Sequence, residues 1–154
     1  MPIDWISTLK NIPEIVSGLG TLIKNNRATK DALLRELRLN IKAFKTAQKT
    51  NKINFDKLLD LLQNESIQSA RKSRFTFNTI KTGKIEKEDI KDERNLRYQG
   101  KDCDWLFKNI DEKIEDLRIQ KKYHGSINTV ENSNISLQFS NLFYKLKLLA
   151  EYIN

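Results

Sequence analysis

Few side chains in this sequence are of a type that does chemistry, and their spacing decides which chemistry is open to them. There is one histidine, His124, and one cysteine, Cys103. A thiolate–imidazole nucleophile needs the two within hydrogen-bond reach. They stand at opposite ends of one predicted helix, roughly 30 Å apart at a rise of about 1.5 Å per residue. With one residue of each kind no ligand set has zinc-like spacing, and the scattered carboxylates read as solvated surface, so neither a metal nor any other cofactor is expected. Lys81-Thr82-Gly83-Lys84 lacks the glycine-rich strand-to-helix loop of a phosphate cradle. What remains is cationic, and it is concentrated in two places.

The first is residues 30–49. Arg35, Arg38, Lys42, Lys45 and Lys49 recur every three or four positions, one place on from an apolar stripe of Leu34, Leu37, Ile41 and Phe44. Both stripes lie on one helix, the basic one rotated by about 100°. The second is residues 71–84, where Arg71, Lys72, Arg74, Lys81 and Lys84 interleave with Phe75 and Phe77, a composition that neutralises phosphates and stacks unpaired bases. Of the formal net charge of +8, residues 27–49 carry +5 and residues 71–84 another +5, leaving the rest of the chain at −2. Charge confined in this way points to an acidic partner: nucleic acid, an anionic membrane or an acidic protein. The expected function is a non-enzymatic helical module that acts through this basic face.

One enzymatic pattern stands beside that reading. Arg118-Ile119-Gln120-Lys121-Lys122-Tyr123-His124 resembles the Arg-x4–6-His signature of HEPN-domain ribonucleases, some of which serve as toxins or antiviral-defence effectors. The resemblance covers seven residues. It implies a homodimer in which Arg118 and His124 meet at a cleft, with histidine as acid or base and arginine on the phosphate, and metal-independent RNA cleavage.

The elements that must position these residues are helical. At 154 residues with five Gly and two Pro there are too few turn signals for an all-β fold. Trp5, Leu9, Ile12, Val16, Leu19 and Ile23 mark a helix over 4–24, kinked near Asn11 because Pro13 lacks an amide hydrogen. A membrane reading assigns Trp5, Leu9, Val16, Leu19 and Ile23 to interfacial insertion. Asn54 caps a helix with Phe55, Leu58, Leu59 and Leu62 inward, and residues 64–66 bend or interrupt it. Residues 75–85 predict a short irregular or strand-like excursion, and 85–98 a solvated helix or connection. Asp102 or Asp104 starts a helix that Gly125 ends, with Phe107, Ile110, Ile114 and Leu117 inward. Ile135, Phe139, Leu142, Leu146, Leu149 and Ile153 form the last seam. These seams must bury one another, giving an all-α fold: a single domain over 1–154, an antiparallel bundle of four or five helices. With no signal-peptide pattern and no apolar run of about 18 residues, the cytoplasm is the expected location.

Overall fold

In the computed structural model, residues 27–130 and 134–154 are described. Among them five α-helices share one hydrophobic core: α1 (Arg27–Gln48), α2 (Phe55–Leu61), α3 (Glu65–Lys72), α4 (Cys103–His124) and α5 (Ile135–Ile153). The fold is all-α, and the described residues hold no strand. The predicted N-terminal helix and kink over 4–24, with Trp5, Leu9, Val16, Leu19 and Ile23, lie outside the described residues. No helix among the described residues is long and apolar enough to cross a membrane.

The apolar seams are the core. Leu34, Leu37, Ile41 and Phe44 of α1 are all buried, as are Phe107, Ile110, Ile114 and Leu117 of α4. Phe44 packs on Phe139 and Phe143 of α5, with ring centroids 6.5 and 5.6 Å away, so the end of α1 meets the start of α5. Gln120, late in α4, bonds Gln138, early in α5, at 3.0 Å. Both contacts join a helix end to a helix start, so α5 runs antiparallel to α1 and to α4.

The caps follow local chemistry. Asn54 and Asp102 accept hydrogen bonds from the backbone amides of Lys57 and Trp105, satisfying donors that a first helical turn leaves orphaned. Gly125 closes α4 in the left-handed region at φ 81°, where a side chain would be strained. α3 ends in the same way on a residue that does not suit it. Arg74 sits at φ 58°, and the amides of Arg74 and Phe75 close back on the carbonyls of Arg71 and Ala70. An arginine there bears the steric cost that glycine avoids.

The chain between α2 and α3 is broken, not bent, and the break is buried. Asn40 of α1 exchanges two hydrogen bonds with the backbone of Gln63, at 2.7 and 2.8 Å. Glu36, one turn earlier, accepts from the first-turn amides of α3 at Ser66 (2.7 Å) and Ile67 (3.3 Å). Burial pushes the Glu36 carboxyl up from its ordinary value against those two bonds, which favour the carboxylate.

Residues 75–98 take one of each pair of expected alternatives. The excursion is irregular, not a strand: three 3₁₀ turns (Phe77–Thr79, Lys87–Asp89, Glu93–Tyr98) and one isolated antiparallel bridge between Lys84 and Asp102. Over 85–98 the chain is a connection and not a solvated helix. This stretch is instead pinned at its two ends, the Ile85 amide donating to Lys101 (2.7 Å) and the Gly100 amide to the Ile85 carbonyl (2.8 Å). Pairing the ends of a loop fixes its path without an internal helical repeat.

Two glycine swaps test the helix ends. Gly125→Ala should lower stability by about 1 kcal/mol, and Arg74→Gly should raise it by up to about 1 kcal/mol, read as shifts of the urea midpoint in opposite directions.

Candidate functional site

The basic row of α1 turns outward. Arg35, Arg38, Lys42 and Lys49 are exposed and Lys45 is half-buried. None of the five forms an ion pair among the described residues, whereas Arg27 on the same helix reaches Asp31 at 3.9 Å. At three or four residues per step the row places a cation about every 5 Å over some 20 Å of helix.

The second basic segment divides. Arg71 is neutralised: it bonds Asp111 at 2.8 Å and stands 3.5 Å from Glu112, both on α4. Lys81 lies over the Tyr152 ring, 5.6 Å from its centroid. Lys72, Arg74 and Lys84 are exposed. The assignment of Phe77 to base stacking is corrected, because it is fully buried and stacked on Phe107 at 5.1 Å. Phe75 is half-buried with its ring edge-on to Phe77, closing the bundle end. Nor do the two basic segments form one sheet of charge. Ser73 lines a groove with Ala28 and Thr29, while Asn40 meets Gln63. The C-terminus of α3 therefore lies beside the first turn of α1, about 10 Å of helix rise before the row begins at Arg35.

Arg118 and His124 do not come together within the chain. The guanidinium of Arg118 donates to the Asn64 side chain (2.5 Å), to Glu115 (3.1 Å) and to the Leu62 carbonyl at the end of α2 (2.7 Å). Glu115 also accepts from Asn64 (2.8 Å) and Gln68 (3.0 Å), and the amide of Asn64, followed by Arg118, holds its carboxyl below the usual range. Arg118 is thus a clamp across the α2–α3 break. His124, six residues on, projects about 120° around the helix from it, exposed and edge-on to Tyr123 at 4.9 Å. A groove of about 430 Å³ beside Arg118 is lined by Leu59, Asp60, Lys121, Lys122 and Gly125. Within it Lys121 pairs with Asp60 at 2.8 Å, and Lys122 is exposed. Cys103 is fully buried, and burial pushes its thiol up to about 12, far from a reactive thiolate. Among the described residues no three His, Cys, Asp or Glu side chains cluster as a metal site.

A third group of cations was invisible to sequence periodicity. The Glu93–Tyr98 turn packs across α5, and Arg97 donates to Asn141 at 3.0 Å while lying 5.1 Å from the Tyr98 ring centroid. Lys145 of α5 approaches the same ring at 5.9 Å, and Tyr98 leans on Trp105 of α4 at 5.6 Å. Lys113 reaches α5 from the other side, bonding Gln138 at 3.1 Å. These residues come from three elements, so no single helical repeat relates them.

No family model, curated protein or solved structure matches the chain.

The two members of the Arg–His pattern should separate on substitution. Arg118→Met should cost about 2–3 kcal/mol in urea denaturation because it strands the Leu62 carbonyl and the side-chain oxygen of buried Asn64, while His124→Ala should stay within about 0.5 kcal/mol.

Proposed function

We propose that this protein is a non-enzymatic helical module that binds the phosphate backbone of nucleic acid through the basic row of α1. The observation that carries the reading is the row itself: five cations at helical pitch, the last just past the end of α1, four of them exposed and Lys45 half-buried, with no carboxylate partner among the described residues. Placing like charges in a line costs self-repulsion, and a partner of regular negative charge offsets it by releasing condensed counterions.

The alternatives find less support among the described residues, and the N-terminal segment assigned to membrane insertion lies outside them. Membrane insertion needs large apolar side chains beside the cations. The exposed ones among the described residues are Leu61, Leu96, Ile119, Tyr123 and Leu137, none of them on α1. The ribonuclease reading needs Arg118 free to meet phosphate, and its nitrogens are spent on Asn64, Glu115 and Leu62. With Phe77 in the core, stacking contributes little, so binding should be indifferent to base sequence.

Charge reversal tests the assignment. Arg35→Glu, Arg38→Glu and Lys42→Glu combined should weaken binding to a duplex or single strand by about a hundredfold at physiological salt in fluorescence anisotropy. A control carrying Lys57→Glu, Lys87→Glu and Lys122→Glu has the same net charge and should change affinity less than about threefold. Equal losses in the two variants would reassign binding to overall charge, and preference for acidic peptides or anionic vesicles over nucleic acid would overturn the reading.

A further inference from the structure

The cations around α5 are treated unequally. Lys147 is buried and balanced by two carboxylates, Asp92 at 3.5 Å and Glu151 at 3.6 Å. Lys145, two residues earlier, has no carboxylate partner among the described residues. Its charged neighbours are cations, Lys113 and Arg97, and burial followed by these two lowers it to about 8. Asp116 stands 3.8 Å from Lys113 and is largely exposed. Gathering two further cations around a half-buried lysine opposes folding unless something negative joins them.

Position adds a second, independent sign. Trp105, Asn109 and Lys113 stand four residues apart on one face of α4, and Gln138, Asn141 and Lys145 share one face of α5. The hydrogen bonds of Lys113 to Gln138 and of Arg97 to Asn141 show that these faces and the Glu93–Tyr98 turn converge. Between Trp105 and Lys113, Asn109 holds a buried side-chain oxygen with no hydrogen-bond partner among the described residues. Buried polar atoms are rarely left so, and this one stands one turn from Lys113 on the same face of α4.

We propose that Arg97, Lys113 and Lys145 form a binding site for a phosphate group, free or as a phosphomonoester. The three cations take the charged oxygens, Arg97 with its planar fork and the two lysines as point charges. Tyr98 and Trp105 wall the site and reduce the screening of its charges. This site is separate from the α1 row and does not depend on the nucleic-acid reading.

Titrating the intact protein with inorganic phosphate at fixed pH 7 and fixed ionic strength, followed by ¹H–¹⁵N chemical shifts, tests the assignment. Saturable binding with a dissociation constant of about 1 mM or tighter is expected, with shifts centred on Arg97, Asn109 and Lys145. Lys145→Met, which keeps the apolar stem, should weaken binding at least about tenfold, Lys145→Arg should retain it, and the triple α1 reversal should leave it unchanged. Far-UV circular dichroism and the urea midpoint confirm that each variant is folded. Methyl phosphate binding as tightly as inorganic phosphate would identify a phosphoryl group on a larger molecule, and markedly weaker binding would identify the free ion; either supports the site. No saturable response, or a Lys145→Met variant that binds as the parent does, would overturn the site.

Discussion

The break between α2 and α3 is the constraint on which the rest of the structure depends. Leu62, Gln63 and Asn64 lie where one helix has run out of donors for its last carbonyls and the next has amides without acceptors, and Leu62 and Asn64 are fully buried. Water cannot satisfy these groups, so side chains from other helices must. From α1 come Asn40, which pairs with the Gln63 backbone, and Glu36, which takes the first amides of α3. From α4 come Asp111 and Glu115, which hold the Asn64 amide, and Arg118, which takes the Leu62 carbonyl. One buried discontinuity thereby fixes the register of α1 and α4 against the two short helices.

That constraint sorts the charges. Arg71 and Arg118 are drawn inward to neutralise Asp111 and Glu115, and neither is left to meet a ligand as a free cation. The α1 row lies about 100° around the helix from the buried Leu34, Leu37, Ile41 and Phe44, and none of its members bonds to this network. The phosphate-binding role proposed for it rests on its being left out of the interior. The Arg97–Lys113–Lys145 group is intermediate: it is enclosed by aromatic rings yet lacks the counter-charge that the α2–α3 junction has in full.

What could be read from the sequence is what is local. Asn54, Asp102 and Gly125 each act on backbone within a few residues of themselves, so their side-chain chemistry announces them. The four seams and the α1 row could be read because a helix converts three- and four-residue spacing directly into a face. The remainder depends on distant partners. Arg118 looked catalytic because its acceptors, Asn64 and Leu62, are more than fifty positions away. Phe77 looked like a stacking residue because its alternation with Phe75 gives no hint that Phe107 covers it. Arg74 gave no stop signal because arginine is not a residue that closes helices, and the 85–101 loop is defined by bonds between its ends, not by any internal repeat.

The central claim is that the outward row of α1 binds a phosphate backbone by charge. The salt dependence of duplex binding by the unaltered protein measures this most directly. If all five cations contact phosphates, log Kobs should fall linearly with log salt with a slope of about −4. A slope near zero, or no measurable binding at low salt, would contradict the account.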